Sequence, residues 1–154
     1  MGSHNEYQLT RKIIALSEAD QWQLARAEWD LQEIYFEDKP STCLCSKYPI
    51  IEICVLRNRK NGNTAEVGNV CVNKFLGIPS KIIFDGLKRV SKDDSKALNN
   101  AASHYAFRKG WISEWEHGFL VSTARTRDLS GKQLAKRREI NRRVLTRMRR
   151  GAAA

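Results

Sequence analysis

The apolar positions of this chain change period along its length. Between Glu18 and Phe36, the residues Trp22, Ala25 and Trp29 recur at helical intervals, as do Leu24, Leu31 and Tyr35. Ser17 and Asp20 stand ahead of them at capping-box spacing, with Asp in place of the usual Glu or Gln, and Pro40 closes the segment. The pattern predicts an N-terminal helix within residues 10–39. From Ile51 the period falls to two, with Ile51, Ile53 and Val55 alternating, and Asn61-Gly62 predicts a tight type I′ hairpin turn. Setting Lys60 opposite Asn63 brings Ile53 against Val70, Ile51 against Val72 and Leu56 against Val67, each pair apolar on both sides. Beyond the hairpin the helical period returns. Ser80 is placed to cap a short helix, KIIFDGLKRV, and a second is expected from about Lys96 to Lys109, ended by Gly110. Trp111, Ile112, Trp115 and Phe119 then read as a core stripe, and Ser130 with Gln133 forms a capping box for a final helix over residues 130–150.

These elements imply an α-rich α+β fold in which a small β-hairpin packs with four or five helices. At 154 residues and 42% hydrophobic, one domain is the expectation. No apolar run approaches the ~20 residues that span a bilayer. Residues 1–4, MGSH, resemble a cloning remnant rather than a secretory signal, so residues 1–9 are expected to be disordered and the protein cytoplasmic.

In a reducing compartment the four cysteines are not expected to pair as disulfides, and their clustering at Cys43, Cys45, Cys54 and Cys71 points to a metal. The hairpin register above puts Cys54 and Cys71 on one face as diagonal neighbours, about 7–8 Å apart. That is too far for a disulfide but within reach of two zinc–sulfur bonds of about 2.3 Å. Cys43 and Cys45 would close the shell from a C-x-C turn, giving a structural Zn2+ site with no open position. A knuckle, a hairpin and a following helix around one zinc make a treble-clef-like module over residues 43–76. Two features depart from that pattern: the usual knuckle is C-x2-C, and Ser46 stands where Gly commonly follows the second Cys. The competing reading is that the thiols are small apolar residues packing the core.

The string CLCSKYPIIEICVLRNRKNGNTAEVGNVCVNKF also resembles a group of small bacterial and phage-type proteins. Its matching positions are Cys43, Cys45, Ile50, Asn58, Asn61, Gly62, Val67, Gly68, Cys71, Val72, Lys74 and Phe75, with a late motif from Leu129 to Asn141. The resemblance runs from Trp29 to Leu145. It implies a zinc module and names no substrate.

The net charge of +10 is unevenly spread: residues 1–42 carry 4 basic and 8 acidic side chains, whereas residues 120–154 carry 11 and 2. On a helical wheel of the last segment, Lys132, Lys136, Arg143, Arg147 and Arg150 line one side opposite Leu134, Val144, Leu145 and Met148. Arg138, Arg142 and Arg149 form a second row, and Arg137 and Ile140 fall on a flank. Such rows favour phosphate contacts and salt-sensitive binding of DNA or RNA. Arg57, Arg59 and Lys60 beside the hairpin turn offer a second basic patch. The expected function is a non-catalytic, zinc-stabilised nucleic-acid-binding protein. The alternatives are a solvated surface helix and a phage-type interaction or inhibitor module whose basic helix docks on an acidic partner protein. A nuclease is the least favoured reading, because treble-clef nucleases need a base on the hairpin and ligands on the adjoining helix, and His104 and His117 lie in neither place.

Overall fold

Leu9 and Ile13 stand four residues apart and are both fully buried, and they hold the first helix, α1 (His4–Leu16), against its neighbours. The computed structural model describes residues 4–149, so helix begins inside the stretch expected to be disordered, and residues 1–3 lie outside the described part. Ser17 does not open a helix. It ends α1, its hydroxyl donating to the Ile13 carbonyl at 2.6 Å and accepting from Trp29 Nε1 at 2.9 Å. A single helical turn, α2 (Trp22–Ala25), and a 3-10 turn (Arg26–Glu28) follow.

The helix expected through residue 39 is instead a strand, β1 (Trp29–Ser41). Its middle, Ile34-Tyr35-Phe36, is built of strand-favouring residues, and pairing with β2 (Ile50–Asn58) outweighs the helical spacing of its neighbours. β2 pairs in turn with β3 (Thr64–Gly68), giving an antiparallel sheet of order β1-β2-β3. The hairpin loop is wider than a two-residue turn. Asn58 Oδ1 accepts from the Lys60 and Asn61 N–H groups, and the Asn58 N–H donates to the Asn63 carbonyl. Ile53 therefore faces Gly68 and Cys54 faces Val67, two residues away from the register expected. A slip of two keeps every side chain on its face, so apolar cross-strand pairing alone does not separate the two registers. β3 also ends at Gly68, and the rest of the expected strand is a helix, α3 (Asn69–Phe75).

Buried Glu28 fastens this half. Its carboxylate accepts from the Glu18 and Ala19 N–H groups at 2.8 and 2.9 Å and from Asn58 Nδ2 at 2.9 Å. The Asn58 bond, with help from the two amides, holds its pKa below the ordinary carboxylate value against the opposing effect of burial.

The chain divides into two compact units, Met1–Ser80 and Lys81–Ala154. The second unit contains α4 (Lys81–Lys92), α5 (Asn100–Arg108), α6 (Glu114–Thr123) and α7 (Gly131–Arg147). Seven α-helices and three strands thus make up the described residues, an α+β and helix-rich fold with more helices than the four or five expected. The core of the second unit includes Phe84, Leu87, Leu98, Tyr105, Ile140 and Met148. The Ser130–Gln133 capping box forms as expected, and a second, Ser113–Glu116, opens α6. Asn99 rather than Lys96 starts α5, its Oδ1 accepting from the Ala102 N–H. The expected stripe after Gly110 is only partly core. Ile112 is buried, but Trp115 is 64% exposed and stacks on Phe119 with ring centroids 5.4 Å apart.

Candidate functional site

The segment between β1 and β2 turns tightly. The Cys43 N–H donates to the Lys47 carbonyl at 2.9 Å, the Ser46 N–H donates to the Cys43 carbonyl at 2.8 Å, and Ser46 takes a positive φ of 76°. Ser46 thus adopts the left-handed conformation that Gly usually supplies in such a turn. The Leu44 N–H donates to the Glu66 carbonyl and joins the turn to β3. From α1, Asn5 Nδ2 donates to the Cys45 carbonyl at 3.1 Å and Lys12 Nζ donates to Ser46 Oγ at 3.2 Å. Sequence reasoning missed this brace, although the i,i+4 pair Leu9 and Ile13 was a usable signal for α1.

This turn and the first turn of α3 bring the sulfurs of Cys43, Cys45 and Cys71 within 4.8 Å of one another, all buried. Thiolates about 2.3 Å from a tetrahedral ion stand roughly 4 Å apart, so the three can hold a metal ion. Two backbone donors already point at one of them, Gly68 N–H at 3.1 Å and Cys45 N–H at 3.4 Å from Cys43 Sγ. The Cys71 thiol donates to Cys45 Sγ at 3.4 Å. Donors fixed on a sulfur favour its thiolate and orient it as a ligand. The Cys43 pKa is lowered to about 5, through Cys71 first and then these amides, while those of Cys45 and Cys71 are raised.

Cys54 is not among the three sulfurs grouped within 4.8 Å. It lies buried on β2, where desolvation pushes its thiol up to about 12. The expectation that Cys54 and Cys71 share a hairpin face fails because Cys71 is on a helix, not a strand. Beside Cys54 runs a buried polar chain: Ser80 Oγ donates to Asn69 Oδ1 at 2.5 Å, and Asn69 Nδ2 donates to Glu52 Oε1 at 3.1 Å.

The basic residues expected to contact nucleic acid fall in both units, Arg57, Arg59 and Lys60 in the first and those of α7 in the second. Arg57 is exposed beside the hairpin loop, whereas Arg59 pairs with Asp30 at 2.8 Å and Lys60 is exposed near Glu28. On α7, Lys132 is exposed and Arg147 half-buried. Arg143 binds Glu116 through both nitrogens at 2.8 and 2.9 Å and also reaches Glu139. Lys136 lies 3.3 Å from both Glu116 and Glu139, and its Nζ stands 6.0 Å from the Trp115 ring centroid. Arg138 and Arg142 share Asp94. The buried face of α7 runs through Arg137, Ile140, Asn141 and Val144, so the two residues assigned to a flank are central to it. Arg150 lies outside the described residues.

His104 and His117 both belong to the second unit, their rings 6.0 Å apart, with His117 stacked on Phe107 at 4.8 Å. No described helix is long and apolar enough to cross a membrane. No protein-family model, curated protein or solved structure matches this chain.

Proposed function

We propose that this chain is a non-catalytic, zinc-stabilised protein that binds nucleic acid through its second unit. The observation that carries the reading is the segregation of charge: residues 81–154 hold 18 Lys and Arg against 7 Asp and Glu, whereas residues 1–80 hold 9 against 10. Intramolecular pairs on α7 engage carboxylates already counted among those 7, so the net excess remains after they form. A positive field of this kind attracts polyanions over distances near the Debye length and gives phosphate contacts without base selectivity. Exposed Trp115, beside Phe119 and Lys136, adds a flat aromatic surface on which an unpaired base can stack.

In the first unit the metal is structural and zinc is the ion, because thiolate donors on a tight knuckle suit zinc. The knuckle over residues 43–47, the β2–β3 hairpin and α3 make a treble-clef-like arrangement. Its thiolates come from Cys43, Cys45 and Cys71, which leave one tetrahedral position for a further donor. Four free cysteines support a reducing compartment such as the cytoplasm.

Fluorescence anisotropy with labelled duplex DNA, single-stranded DNA and RNA, each over a series of salt concentrations, tests the reading. Binding to at least one of them is expected to weaken linearly in log–log form as salt rises, with a slope reporting several phosphate contacts. Trp115→Ala is expected to weaken the single-stranded ligands more than the duplex. No binding to any of the three at about 50 mM salt contradicts the proposal.

A further inference from the structure

One buried cation in the second unit has no counter-charge among the described residues. Arg137 is 7% exposed, donates from Nη1 to the Ser95 carbonyl at 3.1 Å and from Nη2 to the Thr123 carbonyl at 2.7 Å, and leaves Nε without a partner. Among the described residues no carboxylate pairs with it. Elsewhere on α7 the fold supplies carboxylates, Glu116 and Glu139 for Arg143 and Asp94 for Arg142. A buried guanidinium without an anion is costly, and the cost is relieved when a ligand brings the missing charge.

Arg137 lines a cavity of about 580 Å3 whose wall also carries Arg89, Lys96, Arg125, Arg127 and Arg138. Among the described residues, Arg138 alone of these has an ion-pair partner, Asp94 at 3.5 Å, and the one carboxylate on the wall is Asp128. Arg125 and Arg127 line the cavity and are exposed on the segment between α6 and α7, while Arg137 is held by two backbone carbonyls. Burial first, and then the charge of Arg89, depress the Arg137 pKa, as expected where positive charges stand near one another. The volume suits a small molecule or one or two nucleotides.

From this geometry we infer that the cavity is a phosphate-binding pocket, with Arg137 as its fixed guanidinium and the exposed Arg125 and Arg127 as clamps. Its ligand is a phosphate oxyanion, which arrives either on a nucleic-acid chain or on a free nucleotide. Arginine suits it because its planar fork meets two phosphate oxygens at once. The pocket does not depend on the nucleic-acid reading, since a nucleotide satisfies the same charges.

Isothermal titration of the full chain with inorganic pyrophosphate, ATP and a 5′-phosphorylated oligonucleotide tests the assignment. Pyrophosphate is expected to bind, and Arg125→Gln with Arg127→Gln, both at exposed positions that the fold does not need, to weaken it at least tenfold. Arg137→Lys is expected to weaken it further while circular dichroism stays unchanged, and Lys81→Gln, remote from the cavity, to leave it unaltered. If pyrophosphate displaces the oligonucleotide, the phosphate comes from nucleic acid. If ATP binds more tightly and the oligonucleotide does not bind, the pocket stands as a nucleotide site and the nucleic-acid proposal fails. Absence of pyrophosphate binding at millimolar concentration, or binding indifferent to Arg125 and Arg127, overturns the pocket even where the oligonucleotide binds elsewhere.

Discussion

Glu116 is buried in the second unit at the N-terminus of α6, and Arg143 reaches it with two hydrogen bonds while Lys136 stands at 3.3 Å. Arg143 first, then the Ser113 amide and Lys136, hold its pKa at about 2 against the opposing effect of burial. Because the folded value lies below the unfolded one, the pairing stabilises the protein fully above about pH 4.5 and is lost as pH falls toward 2. Glu116→Gln is expected to cost on the order of 3 kcal/mol at pH 7 and much less at pH 3, measured by urea unfolding at both. At the metal centre a second residue-scale test separates neighbours of the same type. Cys71→Ser is expected to abolish bound zinc and lower the melting temperature, whereas Cys54→Ser retains one equivalent by native mass spectrometry. Loss of the metal from both variants would restore the four-thiolate site read from spacing alone.

Between elements, Gly86 on α4 shows how closely the helices of the second unit approach. A Cβ there would stand 2.4 Å from the Asn99 side chain, which caps α5 and donates to the Ile82 carbonyl. Gly86→Ala is expected to displace Asn99 and destabilise the protein by roughly 1–3 kcal/mol, through overpacking and a lost cap, read as a lower thermal midpoint. Caps and periods of this local kind were legible in the sequence: the Ser130–Gln133 box forms, and α4 begins directly after Ser80. What depends on distant partners was not. Trp29 to Phe36 carries a helical spacing, yet its partner across the sheet decides its state. The cysteine cluster was legible as types and lost as geometry, because the hairpin loop is five residues long, Arg59 to Asn63, and because α3 begins at Asn69. Arg137 gave no sign of its burial, since its position on a helical wheel is set by which face meets α4.

On the scale of the whole molecule, structure and charge are divided between the two units. The first is close to neutral and contains the thiol cluster; the second carries the entire positive excess, its exposed Trp115 and its cationic cavity. Metal removal and salt should therefore act on different properties, chelation melting the first unit and salt weakening ligand binding by the second. Hydrogen–deuterium exchange of the full chain, with and without saturating oligonucleotide, tests that division most directly. Protection is expected over α6, the segment joining it to α7, and α7 itself, with residues 43–71 unchanged; protection confined to residues 43–71 would contradict it.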